Sequence, residues 1–339
     1  MVWEWSAAAG AVVELAVATG TVVGASWRAY YLEQEVRKRR AAREASSAES
    51  NALLDALSGD VYTLSGWHAV ALPLLASLTM TLLFYYLVDL QWLVWVCSVV
   101  AGAFSVAFLV FPMVARRTTP CAVLTAVCMM TWLWTSHWLA VDVIGVGLVV
   151  AFVAMVRLPS LRMATVLLVG LLLYDMVFVF FSERIFGSNV MVQVASAPVR
   201  NPMHQASETF SWLPVSAREL QLPIKLIFPR LAASESGSGY SLLGLGDMAL
   251  PGLCTAYLLR LRLCSERAAH LFRVAIGGYA VGLALALGFN LVLTLPQPAL
   301  VYIVPAVMLP TLHAASHTPT EEWRLVWLGP PASPLSLLP

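Results

Sequence analysis

Residues 163–181 read MATVLLVGLLLYDMVFVFF, a run whose single charged residue is Asp175. Wound as an α-helix at 1.5 Å per residue it is about 28 Å long, the thickness of a bilayer's hydrocarbon core. A second stretch, residues 240–261, reads YSLLGLGDMALPGLCTAYLLRL and places Asp247 in a similar apolar setting. Carboxylates at such depth are costly and are retained where they act. The two stretches therefore predict a membrane-embedded protein with ionisable chemistry inside the bilayer.

The whole chain agrees. Of its 339 residues 60% are hydrophobic and only 12% charged, with a mean hydropathy of +0.79. A soluble domain carries roughly 25% charged residues, so a water-solvated surface is largely missing. The net charge of +1, from 20 Lys and Arg against 19 Asp and Glu, leaves no basic excess to neutralise a nucleic-acid backbone. Cys97, Cys121, Cys128, Cys254 and Cys264 lie in or beside apolar runs, a pattern of neither a disulfide framework nor a zinc site. The amino-terminal stretch lacks a basic region and carries Glu14 within its apolar part, so a first span is expected rather than a cleaved signal peptide.

Nine segments are long and apolar enough to cross a membrane: 7–27, 67–88, 92–114, 121–138, 139–156, 163–181, 240–261, 271–294 and 299–316. The predicted architecture is all-α, with 1–27 as the amino terminus and first span and 28–66 as a basic cytosolic linker. Spans two to five occupy 67–162, the sixth 163–181, an outer loop 182–239, the last three spans 240–316, and a cytosolic tail 317–339. Lys and Arg accumulate on the cytosolic side of short loops. With the amino terminus lumenal and the carboxy terminus cytosolic, only Arg184, Arg200, Arg218, Lys225 and Arg230 fall outside.

Asp175 rises toward the outer face and Asp247 descends from it, so helical depth brings the two carboxyls to about the same level. Two carboxyls sharing a site hold one proton between them, giving a general base and a general acid together. The carboxylate would activate a water and its partner would protonate a carbonyl oxygen, without metal or cofactor. Gly244 and Gly246 flank Leu245 before Asp247, where glycine permits close backbone approach and unusual torsions. At Gln297-Pro298-Ala299-Leu300, Pro296 and Pro298 interrupt helix entry, and non-helical backbone at membrane depth is tolerated where protein or a water-filled cavity surrounds it. Taken singly, each feature also has a structural reading: glycine eases helix packing, proline starts helices, and a lone Asp is a hydrogen-bond partner.

Together, Tyr174-Asp175, Gly244-Leu245-Gly246-Asp247 and Pro298-Ala299-Leu300 resemble the intramembrane aspartyl proteases of the presenilin and signal peptide peptidase group, whose three signature motifs stand in this order in three late spans. The similarity covers residues 136–310, and Ser136-His137-Trp138-Leu139 and Val156-Arg157-Leu158-Pro159-Ser160-Leu161 are most similar to the signal-peptide-peptidase-like 3 type. The resemblance implies a presenilin-like fold and a catalytic pair, Asp175 and Asp247. It also implies that Tyr174 orients Asp175 and that residues 297–300 border the substrate. The implied substrates are type II membrane proteins, among them glycosyltransferases, and the implied location is the Golgi or endoplasmic reticulum.

Two other classes use similar residues. A proton-coupled transporter can employ an intramembrane Asp pair, but no internal repeat of the kind transporters show is visible. A non-proteolytic binder of membrane helices needs only the apolar surface. His313 and His317, at i and i+4, share a helix face as metal ligands might be spaced, yet no carboxylate third ligand lies nearby. Glu14, Asp89 and Asp142 are read as packing or capping groups, and Trp132-Leu133-Trp134-Thr135-Ser136-His137-Trp138 as an interfacial aromatic belt.

Overall fold

The structure, a computed structural model, describes residues 2–45, 62–63, 66–114, 118–181, 184, 221–229, 240–292 and 297–329. Most of the outer loop, the linker 46–61, Pro296 and the tail beyond 329 lie outside them. In chain order the elements are α1 (Val2–Ala45), β1 (Tyr62–Thr63), α2 (Gly66–Val110), α3 (Thr118–Thr135), α4 (Trp138–Met155), β2 (Val156–Arg157) and α5 (Leu161–Met176). A π-helical turn, Val177–Phe181, follows α5. Then come β3 (Lys225–Pro229), β4 (Tyr240–Gly244), α6 (Gly246–Leu261), α7 (Ala268–Val292), α8 (Leu300–Ser316) and α9 (Thr320–Leu328).

Among the described residues, six helical stretches are long and apolar enough to cross a membrane: Ala9–Lys38, Trp67–Tyr86, Leu90–Val110, Trp138–Met155, Leu161–Phe181 and Ala268–Asn290. The second and third belong to α2, which bends at Tyr86, where the backbone leaves helical torsions. The shorter apolar helix α8 and the 16-residue α6 carry the Pro-Ala-Leu motif and Asp247. Leu74, Leu75, Val100, Val127 and Leu285 are exposed on the outside of the bundle. Such a surface suits lipid, not water, and the chain is a polytopic membrane protein.

Local signals explain where helices begin. The Ser160 hydroxyl accepts from the Met163 amide at 3.2 Å, and His137 Nδ1 accepts from the Leu139 amide at 3.2 Å. Each side chain satisfies one of the orphan donors of a first turn. Between α3 and α4 the chain reverses through Ser136, whose φ is +48°.

Three expectations are corrected. The fold is not all-α: β1 pairs with β2 in parallel, and β3 pairs with β4 as an antiparallel ribbon, Lys225 opposite Gly244 and Pro229 opposite Tyr240. Residues 240–244 are strand rather than the start of a span, so Asp247 stands in the first turn of α6 instead of one-third of the way down a longer helix. Trp132 is not part of an interfacial belt. It is fully buried, and its indole N–H, which must find an acceptor when buried, donates to the Gln221 carbonyl at 2.8 Å.

Close packing holds the late helices together. Gly278 and Gly282 lie against the backbone of α8: a Cβ at Gly278 would sit 2.1 Å from the Ala306 carbonyl oxygen, and one at Gly282 would sit 2.7 Å from the Ile303 Cα. Small residues that admit a neighbouring backbone are how membrane helices associate without a hydrophobic driving force.

Candidate active site

Asp175 is the penultimate residue of α5, and the regular helix gives way to the π-helical turn two residues later. Its side chain is buried, at 8% exposure. Tyr174 packs against Phe178 in a tilted ring contact with centroids 4.8 Å apart and is in electrostatic reach of the neighbouring carboxyl. The ring contact fixes the side of the helix on which Tyr174 lies.

The backbone amide of Leu300 donates to the Asp175 carboxyl. Leu300 is the first residue of α8, and its N–H is one of the first-turn donors that a helix cannot satisfy internally. Pro298 is buried beneath it. The Pro298 and Ala299 carbonyls accept from Val301, Tyr302 and Ile303. Gln297 accepts a hydrogen bond from the Tyr302 hydroxyl through its side-chain oxygen, and Tyr302 stacks on Phe289 of α7. The segment 297–299 thus remains non-helical while anchored at both ends.

Asp247, half-buried, faces Asp175 within electrostatic reach. It occupies the first turn of α6, where a carboxylate complements the helix dipole. Gly244 has an ordinary backbone, so its role is space and not torsion: a Cβ there would lie 3.1 Å from Asp247 Oδ2. The expectation of unusual torsions at these glycines is corrected accordingly, since Gly329 is the sole glycine of positive φ among the described residues. Gly246 faces open room, with its nearest neighbour, Leu250 Cδ1, at 4.0 Å. The Leu245 amide donates to the Ile224 carbonyl at 3.2 Å, continuing the β-ribbon to the threshold of Asp247. Leu245 also packs over Gly145 of α4, as does Leu226 of β3.

The ribbon is tied to the bundle by two carboxylates. Asp142 accepts from the Ile227 amide at 2.7 Å, and Glu14, at 1% exposure, accepts from the Ser241 hydroxyl at 2.7 Å. Both are positioned for packing. Asp89 lies on α2 where no side chain is described. His313 and His317 meet edge to face at 4.7 Å, and no cluster of three or more potential metal ligands occurs among the described residues.

One further residue belongs to this neighbourhood. Tyr279 on α7 is fully buried, its hydroxyl has no hydrogen-bond partner among the described residues, and it is in electrostatic reach of Asp247. The available signal in the sequence was a hydroxyl between Gly277-Gly278 and an apolar run.

The site brings together Asp175, Asp247 and Leu300, from segments 53 to 125 residues apart in the chain. Comparison with known proteins bears on the same region. The signal peptide peptidase family profile matches residues 117–329, a span that contains both aspartates and the Pro-Ala-Leu segment. Signal peptide peptidase-like 1 of Oryza sativa subsp. japonica is 34% identical over 308 residues, covering 79% of this chain and 82% of the relative. The Arabidopsis thaliana protein of the same name is 31% identical over 316 residues, with 80% and 83% covered. Signal peptide peptidase-like 3 of Arabidopsis thaliana is 28% identical over 333 residues, covering 87% of this chain and 56% of the relative.

Proposed function

The chain belongs to the signal peptide peptidase family and is an intramembrane aspartic protease, and from that premise we propose that Asp175 and Asp247 are its catalytic dyad. The observation that carries the assignment is the convergence of three distant motifs: Leu300 of Pro-Ala-Leu donates to Asp175, and Asp247 faces the same carboxyl.

The chemistry follows from one shared proton. The ionised carboxyl takes a proton from water as its oxygen attacks the scissile carbonyl carbon, while the protonated partner donates to the carbonyl oxygen. The resulting tetrahedral intermediate collapses by breaking the C–N bond, with a proton delivered to the leaving nitrogen. Tyr174 orients Asp175, and Gly244, Leu245 and Gly246 shape the approach to Asp247. No cofactor enters this scheme.

A helical substrate hides its carbonyls in hydrogen bonds, so its backbone must be opened before attack. Strand addition supplies such a conformation. The two-stranded β3–β4 ribbon ends at Gly244, three residues before Asp247, which supports β4 as the receiving edge. Gln297, Pro298, Ala299 and Leu300 border the opposite side of the opened chain.

The finer assignments complete the reading. Nine spans place the amino terminus and residues 182–239 in the lumen, with 28–66 and 317–339 in the cytosol. Charge bias supports that orientation. With the dyad near the lumenal end and the receiving strand of fixed polarity, the substrates are type II membrane proteins, with Golgi glycosyltransferases the class implied by the resemblance. The enzyme resides in secretory-pathway membranes, in the Golgi or endoplasmic reticulum.

The test is cleavage by purified, reconstituted enzyme. Asp175→Ala and Asp247→Ala should each lower the rate by at least about 100-fold, the usual contribution of a general acid or base, while both variants remain folded. Retained cleavage by either variant would remove that residue from the dyad.

A further inference from the structure

Tyr279 is an anomaly in the apolar interior of α7. A phenylalanine would fill the same volume without burying a hydroxyl, and buried polar groups are ordinarily hydrogen-bonded. Here the ring is fully buried and the hydroxyl lacks a partner among the described residues. Helix geometry accounts for its direction. Gly278 and Gly282 press α7 against α8, and a residue one position along a helix is turned by about 100°. Tyr279 is thereby turned to the flank of that contact, within the same buried core as Met248, next to Asp247, and on a helix that packs against α6.

The charged and titratable surroundings are simple. Of α1, α6 and α8, the helices packed on α7, α6 supplies the group in electrostatic reach of the hydroxyl, Asp247. Asp247 in turn faces Asp175 on α5. Glu14 of α1 is bound by Ser241, Tyr302 of α8 by Gln297, and Cys254 of α6 lies beside Tyr257.

We propose that Tyr279 is a positioning residue of the protease, its hydroxyl donating the hydrogen bond that orients the Asp247 carboxyl in the substrate-loaded site. This rests on the dyad reading. Its chemical content is that a donor aimed at a carboxylate favours the ionised form and restricts the carboxyl to one rotamer. An unpartnered donor kept dry beside an acid is thereby preorganised for it. Because the hydroxyl acts through Asp247, its loss changes turnover and pH response rather than substrate binding.

The experiment compares pH profiles of cleavage for wild type, Tyr279→Phe, Tyr257→Phe and Asp247→Ala in the same liposomes. Tyr257→Phe is the structural control, since it removes a buried hydroxyl whose partner is the Val326 carbonyl. Tyr279→Phe should reduce kcat by roughly 10- to 100-fold, the worth of one hydrogen bond to a charged group, with KM unchanged. The acid limb of its profile should move to higher pH, because the carboxylate has lost a donor. Tyr257→Phe should leave the profile in place. Difluorotyrosine at position 279, a stronger donor of nearly the same shape, should move the acid limb the other way. An unmoved acid limb in both position-279 variants overturns the proposal. If Asp247→Ala still cleaves, the dyad reading itself fails; loss of cleavage there with unchanged Tyr279→Phe kinetics rejects the tyrosine alone.

Discussion

The far end of α6 and its first turn meet the rest of the molecule on different terms. From Pro251 to Leu259 every residue is buried. Arg260 then donates to the Val156 carbonyl at 3.1 Å, the Ala154 carbonyl at 2.8 Å and the Val153 carbonyl at 3.4 Å. A single guanidinium thereby satisfies two carbonyls of the last turn of α4 and the first of β2. Tyr257 donates to the Val326 carbonyl at 2.8 Å, and Thr255 shares a 2.9 Å hydrogen bond with Ser26 of α1. The first turn has no side-chain cap at Leu245, and Gly246 is exposed. Beside it lies an apolar groove of about 340 Å³ lined by Phe152, Leu245, Gly246 and Leu250 among others. Stability is concentrated at one end of the helix and access at the other. A carboxyl can be held in place by bonds roughly 20 Å away, at 1.5 Å per residue, leaving its own surroundings open to substrate.

Four substitutions probe this division. Arg260→Met has the largest expected effect, because it leaves the α4 carbonyls without their donor in a dry environment. It should cost about 3 kcal/mol, read as a lower midpoint of unfolding in detergent, with activity falling only as the folded fraction falls. A wild-type midpoint would break the comparison. Gly244→Ala should leave stability nearly unchanged but reduce cleavage about tenfold, since its methyl group would displace the Asp247 carboxyl by a few tenths of an ångström. Gly246→Ala, with open room, should stay within about twofold of wild type, being worth only a few tenths of a kcal/mol. Equal losses at the two glycines would refute the steric account. Tyr257→Phe should leave turnover unchanged and cost about 1 kcal/mol of stability; a drop in turnover without a drop in stability would show that the far end is not merely an anchor.

The two aspartates were legible because a charge inside an apolar run has few structural explanations, and Pro298 because it interrupts entry into the last span. The β-ribbon was not. Ser241-Leu242-Leu243-Gly244 is a short apolar stretch whose periodicity cannot separate strand from buried helix, and its pairing partner, 225–229, is displaced in sequence. Arg260 was legible only as one positive charge on the cytosolic side. Its work on α4 depends on a helix that ends a hundred residues earlier in the chain. Similarly, Tyr279 reads as another large residue of an apolar helix until tertiary packing places Asp247 beside it. Asp142 and Glu14, read as packing or capping groups, each accept one hydrogen bond from the ribbon. What the sequence withheld was tertiary: which buried polar groups meet.

The glycine-lined contact between α7 and α8 has a mechanical consequence. Backbone meets backbone at Gly278 and Gly282, so there is no side chain to rotate and take up slack. The pair behaves as one stiff jaw. Leu300, which grips Asp175, rides on one helix, and Tyr279, which stands by Asp247, rides on the other. Any tilt imposed by a thicker or thinner bilayer moves both attachments in concert, so the jaw can change its distance from the acids without changing its own gauge.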